Sequence, residues 1–473
     1  MDRREGITML RRLIVILVAI IVLAGCGSTS VAPSPSGAPG GTAWAPTAAG
    51  GDAASIGRSF IGALATGDDA GAEAMEDAAM RTAAPAASLG QLWQQFVARY
   101  GAFQGIGGVA TAVQAPYTIA AVDTNFAHST VTLTVTVAAS GQVAGLHVAA
   151  VAPAPSPAAS EAPASYVRPG SFTERAVTVG SAPWALPGTL TLPDGTGPFP
   201  AVVLVQGSGP ADRDETFGPN KPFRDLAWGL ASAGIAVLRY DKRTLVYATQ
   251  MTADTSITVR QETTDDAIAA IALLRGTPNV DPERVYLVGH SLGAYLAPRI
   301  AAQLPGELAG IAMLEAPSNP LVQLVVIQEE YLASLQGSPS PQVEQQLAAL
   351  KAQVALAESP SLSPSTPASL LPLNAPASYW LDLRANHPVT VAASLGIPMF
   401  FSQGGRDYQV PPSELRPWEE ALAGHSNATF RTYPAMDHLL LDGSGTATPA
   451  EYGVPGHVDP ELVADLGAWI TSR

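Results

Sequence analysis

From about residue 171 onward, short apolar runs alternate with amphipathic stretches. Continuous apolar runs, typical of buried parallel strands, lie at 201–205, 235–240, 285–288, 310–314, 397–402 and 429–433. Helical spacing of apolar residues occurs between and after them, at 226–233, 261–274, from Leu292 onward and at 460–470. An antiparallel pair, 176–179 with 188–192, opens the pattern. The alternation predicts an α/β domain over 171–473 with a doubly wound, mostly parallel sheet.

Residues 52–150 carry a different pattern, helical at first and strand-like afterwards. Apolar residues recur at helical spacing in two segments, 56–64 and 92–100. Strict alternation follows at 129–137 (STVTLTVTV), and 142–148 is the candidate partner strand. We therefore predict a small α+β domain with an antiparallel sheet. His128 and His147 are interpreted as structural, because no catalytic constellation accompanies them.

Two segments rich in Pro, Ala, Ser and Gly, 27–51 and 151–170, separate these regions from their surroundings. Such segments cannot bury enough apolar area to offset chain entropy, so we predict a flexible tether and an interdomain linker. A third long segment lies between the strands at 310–314 and 397–402 and contains two helical patterns. Because long insertions in compact domains are usually functional, we predict a lid at about 317–390.

The N-terminal segment has the features of a bacterial export signal. Arginines precede a short apolar run that is too short to span a membrane as a helix. Residues 23–26 (LAGC) resemble the lipobox of bacterial lipoproteins, in which the cysteine thiol takes a diacylglycerol. We therefore predict a signal peptide over 1–26, lipidation of Cys26, and an exported protein anchored by lipid to the outer face of the membrane. Either Met1 or Met9 is the start.

The composition limits the kinds of molecule that the chain could bind. The formal net charge is −15, so the chain lacks the basic surface that nucleic-acid binding requires. Hydrophobic residues make up 47% of the chain, which is enough for a substantial core. Cys26 is the single cysteine, so no intrachain disulfide can form.

The most specific chemical motif is Gly289-His290-Ser291-Leu292-Gly293, which matches G-x-S-x-G. It lies between the predicted strand 285–288 and a helix. There the two glycines permit a sharp turn that exposes the serine hydroxyl, and the helix N-terminus favours a nearby oxyanion. Ser291 is therefore the candidate nucleophile, which needs a base to take its proton.

The base should be a histidine in a loop after the last strand. Of seven histidines, His438 follows the predicted strand 429–433 by a short loop. His457 is the alternative base, and we expect it to be a surface loop residue if His438 serves. His290 lies inside the motif and points the wrong way along the chain.

The acid that orients the base should follow an earlier strand. Asp407 lies just past the strand 397–402 and gives the chain order Ser, Asp, His. Glu315, one strand earlier, is the competing acid. Asp437 is adjacent to His438 and too close in sequence to orient its ring easily.

Two backbone N–H groups should bind the oxyanion. The first is predicted at Leu292, directly after the nucleophile. The second should come from the loop after strand 201–205, whose sequence Gln206-Gly207-Ser208-Gly209-Pro210 lets the backbone approach a substrate carbonyl. Ser208 is the predicted donor, and an ordinary Gly/Pro turn is the alternative interpretation.

Three segments, 206–216 (QGSGPADRDET), 220–227 (NKPFRDLA) and 239–243 (RYDKR), resemble a family of bacterial α/β-hydrolase esterases related to dienelactone hydrolases and acyl thioesterases. The resemblance covers most of 171–473, and 52–150 is similar to a small domain that some members carry. It implies carboxylesterase activity on short acyl esters and no metal or cofactor. Many hydrolases have His where this chain has Gln206. Ion pairs that shape the loop near the site are predicted for Asp212, Arg213, Asp214, Lys221, Arg224 and Arg243.

These observations predict a serine carboxylesterase acting on small-molecule esters. A serine peptidase or cell-wall amide hydrolase is the first alternative, since the same triad serves amide hydrolysis, and an ester-versus-amide substrate panel separates the two. A non-catalytic binding lipoprotein is the second. It predicts a degraded triad, whereas all three candidate residues are present.

Overall fold

The computed structural model describes residues 51–114, 117–127, 129–153, 162–335, 337–339 and 341–473. These residues form two compact units, a smaller one made of the described residues before 162 together with 452–454, and a larger one made of 162–451 and 455–473. The predicted signal peptide, Cys26 and nearly all of the predicted tether lie outside the described residues, as does His128. In the part of the chain that the structure describes, no helix is both long enough and apolar enough to cross a membrane.

The smaller unit packs helices against an antiparallel sheet. Its helices are α1 (Gly51–Thr66), α2 (Asp69–Ala74), α3 (Ala78–Ala83) and α4 (Ala86–Tyr100). Its strands are β1 (Phe103–Gln114), β2 (Tyr117–Phe126), β3 (Ser129–Ala138) and β4 (Val143–Pro153). The strands lie in the order β1-β2-β3-β4, each antiparallel to its neighbours. The predicted α+β architecture is confirmed.

The alternation in β3 faces one side to the core. Val131, Leu133 and Val135 are fully buried, while the intervening threonines are partly exposed. The sequence pattern predicts β3 and β4 but not β1 and β2. Strand β1 (FQGIGGVATAVQ) contains three glycines, which weaken a strand pattern, and its pairing with β2 supplies the order that its own sequence does not. Strand β4 also continues to Pro153, inside the segment predicted to be a linker.

The larger unit is built on a sheet of eight strands. They are β5 (Phe172–Val179), β6 (Leu186–Pro193), β7 (Phe199–Val205), β8 (Ala236–Tyr240), β9 (Val280–His290), β10 (Gly310–Leu314), β11 (Met399–Gly404) and β12 (Ala428–Tyr433). Their spatial order is β12-β11-β10-β9-β7-β8-β6-β5. Strand β6 is antiparallel to β5 and β8, and all other neighbours are parallel. This is the predicted doubly wound, mostly parallel sheet of an α/β-hydrolase.

Helices cover both faces of this sheet. They are α5 (Pro222–Ser232), α6 (Arg243–Val246), α7 (Ala248–Ala253), α8 (Asp265–Arg275), α9 (Leu292–Gln303), α10 (Leu321–Ser334), α11 (Pro341–Glu358), α12 (Ala377–Arg384), α13 (Pro388–Ser394), α14 (Leu415–Ala421) and α15 (Pro460–Thr471). A π-helical turn, Arg260–Thr264, leads directly into α8. Helices α10 to α13 belong to the segment between β10 and β11, which is called the insertion below and includes the predicted lid.

Strand β7 illustrates why the central strands are continuously apolar. Val203 and Val205 lie in the core on one face of the sheet, while Val202 and Leu204 lie in the core on the other. All four are fully buried. Burying one such side chain contributes about 1.5 to 3 kcal/mol, so a polar residue on either face would be costly. Polar side chains that take part in chemistry are therefore expected at the ends of these strands rather than within them.

Candidate active site

Ser291 occupies a strained turn between β9 and α9. Its φ of 53° and ψ of −114° lie outside the regions that ordinary side chains adopt. Its N–H donates to the carbonyl of Leu314 at the end of β10, and its own carbonyl accepts the first bond of the helix from Tyr295. The side chain is partly exposed, whereas His290 and Leu292 on either side are buried. The turn thus presents the hydroxyl at the carboxyl edge of the sheet.

Both glycines of the motif are required by close approach. A Cβ at Gly289 would lie 2.4 Å from the carbonyl carbon of Gly293, which is impossible without a shift of the backbone. A Cβ at Gly293 would lie 2.1 Å from the carbonyl oxygen of Val205. The start of α9 therefore packs directly on the ends of β9 and β7, which is the arrangement that the G-x-S-x-G spacing predicts.

His438 and Asp407 are brought together by the loops after β12 and β11. His438 Nδ1 lies 2.7 Å from Asp407 Oδ2, and both side chains are buried. The second carboxylate oxygen, Asp407 Oδ1, accepts the N–H groups of Gln409 at 2.8 Å and Val410 at 2.9 Å. The loop backbone therefore fixes the carboxylate and directs Oδ2 at the imidazole.

His290 joins the His438 loop to the Ser291 turn. Its Nε2 lies 2.8 Å from the carbonyl oxygen of His438, and its Nδ1 lies 3.1 Å from Glu215 Oε1. Burial lowers the pKa of His290, but the charge of Glu215 and the hydrogen bonds to Glu215 and to the His438 carbonyl outweigh it and raise the pKa. Both ring nitrogens are therefore occupied by contacts with the protein. His290 is thus a structural residue that links two loops rather than a free base.

The loop after β7, residues 206–210, is called the oxyanion loop below. A Cβ at Gly207 would lie 3.3 Å from the Ser291 Cβ, so this loop lies directly against the Ser291 turn. The N–H groups of Gly207 and Gly209 donate to Glu215 and Glu262. Among the described residues, none accepts a hydrogen bond from the N–H of Ser208 between them. Leu292 is the first residue of α9, where a backbone N–H has no partner within the helix.

Glu315, the competing acid, lies behind Asp407. It is fully buried after β10, and its carboxyl accepts from Gln403 Nε2 at 3.0 Å, the Gly404 N–H at 2.8 Å and Ser402 Oγ at 3.3 Å. Burial, and then the charge of Asp407, raise the pKa of Glu315 well above its usual value. Its carboxyl also hydrogen-bonds Asp407.

His457 and Asp437, the second candidate base and the acid next to His438, are each held by nearby groups. His457 Nδ1 lies 2.9 Å from Asp225 Oδ2 in α5. Asp437 Oδ1 accepts the N–H groups of Leu439 and Leu441, and burial raises the pKa of Asp437 to about 6. Asp437 thus organises the turn that carries His438, and it is Asp407 that lies against the imidazole.

Charged residues around the oxyanion loop form a dense network. Arg213 pairs with Asp241 at 2.7 Å, Lys221 with Asp214 at 3.4 Å, Arg224 with Asp225 at 3.5 Å, and Arg243 with Asp266. The carboxylate of Asp212 accepts two hydrogen bonds from Thr216. Sequence reasoning missed three charged residues that contact the oxyanion loop directly, Glu215, Lys242 and Glu262. These three residues differ from surface charges only in being buried. The identity of a charged residue in the sequence does not show whether it is buried.

The insertion contacts the loop that carries Asp407. Gln328 Nε2 of α10 donates to the carbonyl of Gln409 at 2.9 Å. One turn later, the ring of Tyr331 stacks on Tyr408 with 5.0 Å between ring centroids and 10° between planes. The Tyr331 hydroxyl also donates to the carbonyl of Ala447. The insertion is therefore anchored beside the acid, and its function as a lid stays a prediction.

No group of three or more His, Cys, Asp or Glu side chains in the described ranges is arranged to hold a metal ion.

Both units resemble known proteins. Residues 58–146 match the model of a family described as "Protein of unknown function (DUF3887)". Esterase EstD of Thermotoga maritima is 38% identical to this chain over 383 residues, which cover 81% of this chain and 87% of that protein.

Solved structures that resemble this chain include two archaeal esterases. A hyperthermophilic esterase from Pyrobaculum calidifontis is 14% identical with a TM-score of 0.42, over 63% of this chain and 83% of that one. An esterase of Pyrococcus furiosus is 17% identical with a TM-score of 0.40, over 64% of this chain and 91% of that one. On its likeness to Esterase EstD and its eight-stranded sheet, this chain belongs to the family of α/β-hydrolase esterases that includes Esterase EstD.

Proposed function

We propose that this protein is a serine carboxylesterase in which Ser291, His438 and Asp407 form the catalytic triad. The Ser291 hydroxyl attacks the ester carbonyl carbon while His438 Nε2 takes its proton. The N–H groups of Leu292 and Ser208 bind the oxyanion of the tetrahedral intermediate. His438 then protonates the leaving alcohol, and water hydrolyses the acyl-enzyme by the same steps.

One observation carries the proposal. The 2.7 Å contact between His438 Nδ1 and Asp407 Oδ2 lies at the same sheet edge as the strained, partly exposed Ser291. A carboxylate on Nδ1 leaves Nε2 unprotonated and therefore basic. Backbone strain of the kind seen at Ser291 clusters at active sites, which supports a functional role for this residue.

The proposed substrates are small-molecule esters with short acyl chains. Membership of the esterase family supports the reaction class, and the resemblance of the segments around 206–243 supports short acyl groups. A series of nitrophenyl esters of increasing acyl length tests the preference, which fails if turnover rises steadily with chain length. An amide series tested in parallel decides against the peptidase alternative if amides are not cleaved.

Conversion of Ser291→Ala tests the mechanism. We expect turnover of a nitrophenyl ester to fall by roughly five to six orders of magnitude while the far-UV circular dichroism spectrum is unchanged. A fluorophosphonate should label the wild-type protein at Ser291 and fail to label the variant. Undiminished turnover in Ser291→Ala refutes the proposed nucleophile.

We also propose that the protein is exported and lipidated at Cys26, on the outer face of the bacterial membrane. The LAGC segment after a basic and apolar stretch supports this. The Pro/Ser-rich residues that follow would serve as a tether between lipid and enzyme.

A further inference from the structure

Lys242, a residue outside the proposed triad, contacts the peptide group that would bind the oxyanion. Its Nζ donates to the carbonyl oxygen of Gly207 at 2.6 Å. That carbonyl belongs to the same peptide unit as the N–H of Ser208. In a trans peptide the C=O and N–H bonds point in opposite directions. A carbonyl fixed by Lys242 therefore directs the Ser208 N–H away from the ammonium group and out of the buried network.

Glu262 holds Lys242 in this position. Lys242 Nζ lies 2.7 Å from Glu262 Oε1, and the two side chains are 2% and 4% exposed. The same carboxylate oxygen accepts the N–H of Gly209 at 3.3 Å. The peptide groups on both sides of Ser208 are thus bound to one buried ion pair. The Thr244 hydroxyl adds a bond to the carbonyl of Gly209 at 3.2 Å.

Glu262 lies in the π-helical turn Arg260–Thr264. Such turns are rare, and they are found frequently at functional sites. The insertion also reaches this carboxylate, because the Tyr379 hydroxyl of α12 hydrogen-bonds Glu262. Burial, followed by the charge of Glu262, raises the pKa of Tyr379, so the hydroxyl stays protonated and acts as the donor.

We propose that Lys242, paired with Glu262, is a positioning residue of the oxyanion hole that orients and polarises the Gly207–Ser208 peptide. The inference rests on the proposed esterase mechanism and deepens it. A cation bound to a peptide carbonyl draws electron density from the amide and strengthens its N–H as a donor. The effect is largest in the transition state, when negative charge develops on the substrate oxygen. Loss of Lys242 therefore lowers kcat more than it raises KM.

The adjacent Arg243 provides a matched control. It forms a buried ion pair with Asp266, and the side chains are 8% and 6% exposed. Its guanidinium packs over Trp184, and its hydrogen bonds go to Asp266 rather than to the oxyanion loop. Lys242→Met and Arg243→Met each remove a buried cation and leave a buried carboxylate unpaired. A purely structural role predicts similar losses of stability and of activity in the two variants.

Steady-state kinetics with a nitrophenyl ester separate the two roles. We expect Lys242→Met to lower kcat on the order of 100-fold with KM nearly unchanged, and Arg243→Met to change kcat by less than about threefold. The inhibition constant of a trifluoromethyl ketone, which forms a tetrahedral oxyanion on Ser291, should rise by the same factor as kcat/KM falls. Equal kcat in Lys242→Met and Arg243→Met overturns the proposal.

A double variant covers the case in which Lys242→Met does not fold. Lys242→Met/Glu262→Met leaves no unpaired charge, and replacing a buried ion pair by apolar side chains is often neutral or stabilising. It should unfold near the wild-type midpoint and still show the reduced kcat, whereas wild-type kcat in this variant contradicts the proposal. Wild-type protein without Ser291-dependent turnover would instead overturn the proposed function, which distinguishes the two failures.

Discussion

At the scale of single residues, the contacts of two histidine rings organise the site. Asp407 accepts from His438 Nδ1, which in the proposed mechanism leaves Nε2 to take the proton of Ser291. His290, one residue before Ser291, contacts Glu215 and the His438 carbonyl through its two ring nitrogens and has a structural role. The ring centroids of these two histidines lie 4.8 Å apart. The two rings differ in role because they contact different neighbouring groups.

Substitution of Asp407→Asn should lower kcat for a nitrophenyl ester by roughly 10³- to 10⁴-fold with the fold intact. The amide retains the size of the side chain, but its NH2 group can face Nδ1 and favour the tautomer in which Nε2 carries the proton. Measurement of kcat beside the thermal unfolding midpoint checks this. A loss below tenfold in a folded variant would reject Asp407 as the orienting acid.

Glu315→Gln is the matched comparison for the competing acid. Glu315 contacts Asp407 rather than the imidazole, and glutamine keeps both the size and a hydrogen-bond donor. We expect kcat to stay within about tenfold of wild type, since the tautomer of His438 is unaffected. A loss as large as that of Asp407→Asn would assign the orienting role to Glu315.

At the scale of secondary-structure elements, the insertion helix α10 has contacts that anchor it and a glutamate whose ionised form is disfavoured by burial. Gln328 and Tyr331 attach it to the loop that carries Asp407. Between them, Glu329 is partly buried, and burial raises the pKa of its carboxyl from 4.5 to about 7. The unfolded chain releases this proton near pH 4.5, while the folded chain keeps it until about pH 7. The folded state therefore binds more protons in this window, and its stability falls as pH rises through it.

Glu329→Gln removes this titration. At pH 8 the variant should be more stable than wild type by about 1 to 2 kcal/mol, after allowance for partial exposure, and the difference should vanish at pH 4. Urea unfolding at the two pH values measures it. Glu330→Gln is the control, because Glu330 forms an exposed pair with Lys351 at 2.6 Å. Its effect should stay within about 0.5 kcal/mol at pH 8. A Glu329→Gln difference that persists at pH 4 would exclude burial of charge as the cause.

At the scale of the whole molecule, the proposed catalytic residues and both sheet-face cores belong to residues 162–473. The smaller unit has its own aromatic core, in which Trp93, Phe96 and Phe126 pack within 5.5 to 6.3 Å between ring centroids. Each unit thus buries its own apolar surface, as an independent folding unit must.

A chain that begins at Ala162 should therefore fold and hydrolyse a nitrophenyl ester with kcat within about threefold of the full chain. Gel filtration, circular dichroism and steady-state kinetics check this. The same truncated chain with Ser291→Ala serves as the inactive control. A soluble, folded truncation without activity would show that the smaller unit contributes to catalysis.

Cys26→Ser should release the protein from membranes when it is produced in a bacterial host. Two or three acyl chains bind a bilayer at about 0.8 kcal/mol per buried methylene, whereas the serine hydroxyl accepts no diacylglycerol by the thioether route. Labelling with a clickable fatty acid and detergent phase partitioning measure the change. Ser28→Ala is the matched control and should behave as wild type. Fatty-acid labelling that survives Cys26→Ser would refute the predicted site.

The sequence by itself determined the eight-stranded sheet, since continuous apolar runs need burial on both faces. It also determined the sharp turn at Ser291, since the motif supplies glycine at 289 and 293, where no Cβ fits. It also ranked His438 and Asp407 by their position after successive strands. Tertiary structure alone decided which acid faces the imidazole and which cation faces Gly207. Ion pairs join residues that are distant in sequence. The sequence itself does not distinguish a charged residue that will be buried from one that will be solvated. For that reason Glu215, Lys242 and Glu262 emerged only when folding brought them to the oxyanion loop.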